Sequence, residues 1–444
     1  MIQNTLLNTA ALTAGGLSAV LLLVPLDVGA VPSFARQTGA KCMSCHTVFP
    51  ELTPFGRWFK LRGYTLSSGA KSSGLASLPL SGVLLVSNTS TRNTTGAAPE
   101  NFPRNNQTIP QTVGVYYAGR ITQKSGAFVQ YSYDGIERKW GMEMADIRYA
   151  DSTTVNGKEL VYGVTLNNTP TVQDAWNSTP VWRFPHVADA GLMPAASTVL
   201  DMTLASQVGG LGVYGLWDNL LYGELSFYRT AKRGWLRPLS AGVRVDNVLR
   251  DYAPYWRLAL QRDWGAHSAQ VGTYGMVADI YPDPDNLSGP TDRFRDIGFD
   301  AQYQYLGSEH FVSAQATWIR ERQQWNASFA EGATANPSNR LTTVKANLHY
   351  SYRHRYGGGV GYFSTFGDTD ALKYMMEPVM GSANGSPNTR GWMVELDYLP
   401  WDNTKFALRY TAYQKFNGAA TDYDGFGRKA SDNNTLYLLG WFLF

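Results

Sequence analysis

"NTKFALRYTAYQKF" (residues 403–416) is the stretch on which the fold turns. Phe406, Leu408, Tyr410 and Ala412 alternate with Lys405, Ala407, Arg409 and Thr411. Successive side chains of a strand point to opposite faces, so the segment reads as a strand with one apolar and one polar side. "PYWRLALQRDW" (254–264) repeats the pattern, with Trp256, Leu258 and Leu260 against Arg257, Ala259 and Gln261. "WMVELDYL" (392–399) sets Val394, Leu396 and Tyr398 against Met393, Glu395 and Asp397. A soluble sandwich produces the same alternation, so the connections must decide.

About sixteen candidate strands lie between Leu78 and Phe444, within the range of transmembrane barrels. Tight connections stand at "QKSG" (123–126), "VNGK" (155–158), "WDN" (217–219), "WGAH" (264–267), "LGSEH" (306–310), "YRHRY" (352–356) and "LPWDN" (399–403). Between them fall long polar loops at 91–110, 168–200, 231–252, 280–292, 326–338, 368–389 and 417–432. Short turns at one end and long loops at the other describe an all-β, antiparallel outer-membrane barrel with its turns periplasmic. The final "TLYLLGWFLF" fits, because Leu436, Leu438, Gly440, Phe442 and Phe444 share one face and suit a lipid-facing last strand.

Composition agrees with that reading. The chain carries 44 Gly, 26 Tyr, 19 Phe and 13 Trp, a mixture that favours extended β structure over helix. With 38 basic and 35 acidic residues the formal charge is only +3, which gives no electrostatic footprint for nucleic acid. A mean hydropathy of −0.26 excludes a multi-helix membrane protein but suits strands that are apolar only at alternate positions. "ALTAGGLSAVLLLVPL" (11–26), followed by Val28 and Ala30 as small residues before a cleavage point, predicts a secretory signal peptide over residues 1–30, although residues 1–10 hold no Lys or Arg. "TLSSGAKSSGLAS" (65–77) reads as a linker. The expected organisation is therefore a signal at 1–30, a small module with its linker at 31–77, and a barrel at 78–444.

The module contains "AKCMSCHTVF" (39–48), with both cysteines of the chain, Cys42 and Cys45, and His46 directly after. Cys-x-x-Cys-His is the attachment pattern of a c-type haem. Two thiols two residues apart add to the porphyrin vinyl groups, and the next residue is placed to give the iron an imidazole. Three other readings compete. Zinc needs more ligands than stand nearby, a thioredoxin-like dithiol needs a βαβ context, and a small structural disulfide is the plainest option. In "VFPELTPFGRWFKLRGY" (48–64), Thr53 can cap a helix with Pro54 at its first position and Gly63 at its stop. Phe55, Trp58 and Phe59 share a face of that helix, with Arg57 and Lys60 set away from it. The aromatic face suits either covering a porphyrin or plugging a barrel, and the two cations suit propionates.

The segment "VPSFARQTGAKCMSCHTVFPELTPFGRWFKLRGY" (31–64) closely resembles the N-terminal module of the fused monohaem cytochrome–porins of iron-oxidising bacteria. The likeness covers this segment; the barrel agrees in pattern and length. The resemblance implies one covalently attached haem c, with Cys42 and Cys45 as thioether ligands and His46 as the proximal axial ligand and haem-iron metal site. It implies an integral outer-membrane protein that oxidises extracellular Fe(II) and passes electrons to a soluble periplasmic cytochrome. No substrate bond is made or broken in that activity.

Physical reasoning extends this picture. A hydrocarbon layer of about 30 Å is too thick for one haem to relay electrons across from beneath it, and a module this short cannot build its own core. The module is therefore expected inside the lumen. The distal iron ligand must then come from the barrel or be water. Strand parity puts Met142, Met144 and Met393 on the polar face, while His186 and Met193 stand on the longest loop, which can fold inward. "ADIYPDPDNLSGPTD" (278–292) carries Asp279, Asp283, Asp285 and Asp292 and suggests a cation-gathering mouth. His267, His310 and His354 fall at the short turns, where interfacial polar residues are the default reading and contact with a partner cytochrome is the alternative. The rival readings are a diffusion porin whose haem plug gates or senses, and electron uptake from a donor other than iron.

Overall fold

The computed structural model describes residues 32–69, 78–93, 103–170, 174–178, 194–232 and 234–444. The expected signal peptide and most of the linker lie outside these residues. Sixteen antiparallel strands, each paired with its sequence neighbours, form a closed barrel. β1 (Leu80–Thr91) and β16 (Thr435–Leu443) seal it, in register from Val83 opposite Leu443 to Thr91 opposite Thr435. Closure leaves no strand edge unpaired, which is what allows strands to cross a lipid layer.

The alternation read from the sequence sorts the side chains as expected. In β14 (Thr389–Trp401) Leu396 is 60% exposed on the outside while Glu395 is 1% exposed within. In β8 (Ala253–Trp264) Leu258 and Leu260 face outward and Arg257 and Gln261 inward. An outward apolar band of this extent, on a cylinder with a polar interior, is the surface of an integral outer-membrane barrel. Tyr356 stacks on Tyr398 at 5.3 Å near the turn end of this band, an aromatic contact of the kind found where such barrels meet headgroups.

The seven short connections close as read. At "VNGK", Asn156 and Gly157 both take positive φ, +53° and +75°, as a two-residue hairpin turn requires. One loop-end connection was passed over, however. β3 (Ser125–Asp134) and β4 (Lys139–Val155) are joined by residues 135–138 alone, so the long-loop end also contains a tight turn.

β4 carries a second departure. Gln130 pairs with Met144 but Tyr131 pairs with Met142, so Glu143 is bulged out of register. A bulge reverses the in–out parity of what precedes it. Met144 and Met393 keep the expected lumen side. Met142 does not: it packs outside with Leu236 and Leu239, beneath the 3₁₀ turn Gly234–Ser240.

The longest loop does fold inward where it is described. Trp176 is fully buried in the lumen, its indole Nε1 donating to Gln261 Oε1 at 3.0 Å. Gln302 and Gln315 both donate to its backbone carbonyl, and the Arg257 guanidinium lies 5.1 Å over its ring. Residues 194–207 of the same loop line the barrel interior, fixed by contacts described below.

Candidate functional site

Residues 32–69 lie against the inner wall at the turn end. They form α1 (Pro32–Thr38), α2 (Cys42–Cys45) and α3 (Pro54–Leu61). α3 starts as the sequence indicates: Thr53 Oγ1 accepts from Gly56 N at 3.2 Å and Pro54 occupies the first turn. The same hydroxyl donates to the Ser44 carbonyl at 2.6 Å, tying α3 to α2. Gly63, at φ +70°, follows the end of α3, the left-handed step glycine takes without strain. Between the two helices, residues 46–52 fold back on themselves, with Thr53 N donating to the Cys45 carbonyl at 2.9 Å.

The wall holds this segment by polar contacts across long sequence distances. Arg57 donates to the Leu52 carbonyl, to Gln302 and Gln304 Oε1 at 3.0 and 2.9 Å, and to Ser268 Oγ at 2.6 Å. Tyr64 donates to Asp146 Oδ2 at 2.6 Å, and Tyr214 to the Leu61 carbonyl at 2.7 Å. Near the start of the segment Ser33 N donates to Ser81 Oγ at 2.8 Å.

Above and beside α2 opens a cavity of about 650 Å³, bordered by Cys42, Cys45 and His46 together. Its volume lies in the range of cofactor and ligand sites, roughly 300–1,000 Å³. Aromatic rings from both the segment and the barrel wall it: Phe34, Phe49, Phe59, Tyr116, Phe128 and Trp441. Phe34 stacks on Tyr64 at 5.2 Å and meets Phe59 edge-on at 5.0 Å. Cys42 is buried and Cys45 half-buried. Burial pushes the Cys45 thiol up to about 11.

His46 Nδ1 lies 3.3 Å from the Pro50 carbonyl. A carbonyl can only accept, so the contact places the proton on Nδ1 and leaves Nε2 with its lone pair. Burial lowers the imidazole to about 4, against the pull of the Pro50 and Glu51 backbone, so His46 is neutral at ordinary pH. A neutral ring with its far nitrogen open and its near one fixed by a carbonyl is how metal-binding histidines are held.

The cations separate. Lys60 is 8% exposed, borders the cavity, and its ammonium makes no ion pair among the described residues. Burial, reinforced by Arg148, draws it down to about 8 against the opposing pull of Asp146, Asp174 and Glu224. Lys345, Lys405 and Arg409 also border the cavity, but Lys345 is held by Asp201 and the other two by Glu395. Arg57 is not available to a ligand, since the wall engages it. The helix-face reading fails there because Arg57, Phe59 and Lys60 are all among the buried residues of α3, while Phe55 is the exposed one. Phe59 reaches the cavity, while Phe55 stacks on Trp58 at 6.0 Å away from it.

Other expected residues disperse. Met144 borders the cavity; Met393, although buried on the lumen side, does not. His186 and Met193 lie outside the described residues. His267 and His310 sit among the interfacial aromatics: their Nδ1 atoms meet the hydroxyls of Tyr303 and Tyr350, at 2.7 and 2.8 Å, on the outward surface. His354 packs on Phe311 and reaches the Thr47 backbone, so it braces the segment instead. In the acidic loop Asp279 and Asp285 meet cations, while Asp283 and Asp292 accept from backbone amides. Arg293 and Arg250 bind Asp279, Lys232 meets Asp285 at 3.4 Å, and Asp292 accepts from Ala327 N at 2.9 Å. Asp283 accepts from the backbone of Asp285.

Sequence reasoning missed three residues. Gly56 has a backbone so close to α2 that a Cβ would stand 2.3 Å from the Cys45 carbonyl oxygen. His349 faces the lumen but is engaged by Asp397 at 2.7 Å. Met202, on the inward loop, borders the same cavity as His46.

No family model matches the chain, and no curated protein matches it. Solved structures similar to it are outer-membrane channels at low identity. The channel DcaP of Acinetobacter baumannii is 11% identical, with 82% of this chain and 96% of that one covered, at a TM-score of 0.47. Salmonella typhi OmpF, in complex with daunomycin, is 13% identical over 82% and 97%, at 0.45. A loop-deletion form of OmpT from Vibrio cholerae is 9% identical over 82% and 98%, at 0.43.

Proposed function

We propose that this barrel is an electron conduit of the outer membrane. One haem c, attached to Cys42 and Cys45 with His46 as proximal ligand, takes electrons from an extracellular donor, Fe(II), for a soluble periplasmic cytochrome. The observation that carries the reading is that all three residues of Cys-x-x-Cys-His border one aromatic-walled cavity inside the lumen. The sequence likeness of residues 31–64 to fused cytochrome–porins points the same way.

The residues fit the group. Bound there, haem iron would cycle between its ferric and ferrous states, accepting the single electron that Fe(II) loses on becoming Fe(III). The chain's own contribution is placement and insulation. The Pro50 carbonyl orients His46. Phe34, Phe59 and Phe128 supply apolar surface for a macrocycle, and the Lys60 ammonium supplies a charge for a propionate. Arg57 and Tyr64 fix α3 to the wall, and the strands separate the site from lipid.

Two measurements on the purified protein test this. A pyridine-haemochrome spectrum should show one haem c per chain, and anaerobic Fe(II) should develop the ferrous α-band. A haem-loaded protein that Fe(II) leaves oxidised, yet conducts ions freely in planar bilayers, would instead be a porin with a sensing plug. Reduction by another donor but not by Fe(II) would move the donor assignment.

A further inference from the structure

We infer that Met202 is the distal ligand of the haem iron, an inference that rests on the haem reading above. Met202 is a non-glycine residue at φ +71°, ψ 4°, a left-handed backbone that residues with a side chain rarely adopt. Strain of this kind persists only where the surroundings impose it, and here they do. Val199 N donates to Glu321 Oε2 at 2.6 Å and Leu200 N to Asp296 Oδ2 at 2.9 Å. Asp201 is gripped by Lys345 through both carboxylate oxygens at 2.6 Å. On the other side the Thr203 carbonyl accepts from Gln207 Nε2 and from Asn247 Nδ2 at 3.0 and 3.2 Å.

Every neighbour in this turn is therefore pinned, and Val199 and Leu200 are buried in an apolar cluster. Met202 alone is turned out, 42% exposed, into the cavity that His46 also borders. A methionine used for packing would be covered. One held out on a strained, clamped turn is presenting its thioether. Thioether sulfur is a soft ligand for haem iron, and methionine opposite histidine raises the potential relative to two histidines, as acceptance of electrons from Fe(II) requires. The other lumen candidates are less suited: Met144 is 8% exposed and packed into the wall, and His349 is committed to Asp397.

The test uses the full-length haem-loaded protein in detergent. The oxidised wild type should show the methionine-to-iron charge-transfer band at the red end of its spectrum. Met202→Ala should abolish it and lower the midpoint potential, while Met144→Ala keeps it. Met202→Gly guards against collapse of the turn, since glycine relieves the positive φ; it too should lose the band while the barrel keeps its heat-modifiable mobility. Met202→His should give the near-infrared magnetic circular dichroism of two histidines. Retention of the band in Met202→Gly, its loss in Met144→Ala, or a haem-loaded wild type without it would overturn the assignment and leave the haem reading standing. A colourless wild type would overturn both.

Discussion

The barrel and the segment within it are stabilised in opposite ways. Each strand bonds to the strand next to it in sequence, so the wall is a chain of local hairpins closed by one long-range pair, β1 with β16. The inner segment has helices of only seven, four and eight residues, too short to stand alone in water. It is fixed by bonds spanning many residues, from Ser33–Ser81, 48 positions apart, to Arg57–Gln304, 247 apart. One part carries its own stability and the other takes it from its host.

The sharpest way to break this contrast is to separate the parts. Residues 78–444 refolded in detergent should show the heat-modifiable mobility and β-type circular dichroism of a closed barrel. Residues 31–77 alone should show no protected amides. A stably folded isolated segment would end the comparison. Arg57→Ala comes next. Losing its three charge-assisted bonds to the wall at about 1.5 kcal/mol each costs the docked segment about 4.5 kcal/mol, so hydrogen exchange in α3 should accelerate roughly 2,000-fold while barrel amides stay unchanged.

Leu258→Arg probes the other partner. A charge in the lipid-facing band costs about 3 kcal/mol, lowering the denaturation midpoint of the barrel whether or not the segment is present. Gly56→Ala should cost about 2 kcal/mol through overpacking, displacing the Cys45 carbonyl, and mass spectrometry should find less thioether-linked product. Tyr64→Phe, which leaves Asp146 bonded to Arg148 and Thr165, should cost about 1 kcal/mol, visible only as faster local exchange.

The same contrast governs what could be read from the sequence. Alternation is a local signal, so the lipid face of Leu396 and Phe406, the turn at "VNGK" and the final strand were legible. The Glu143 bulge was not, because one extra residue leaves no compositional mark, and Met142 was put on the wrong side for that reason. The four-residue outer connection before Lys139 lacked the length that marked its neighbours. Inside the lumen, Thr53 and Gly63 were readable as helix ends, since caps are also local. The wall partners of Arg57 and the placement of Met202 were not readable, because they depend on which distant strand or loop each residue meets. The tyrosine partners of His267 and His310 were not readable for a related reason: a turn position says nothing of what stands across the ladder.

The burial of Cys42 at 2% exposure, inside a cylinder whose first and last strands are bonded to one another, also imposes an order of assembly. Anything bulky joined to that thiol has to be installed while the chain is still threadlike, before its two ends meet. On the haem reading proposed above, attachment to the cysteine pair would precede closure of the barrel, and a chain that missed the step would close without it.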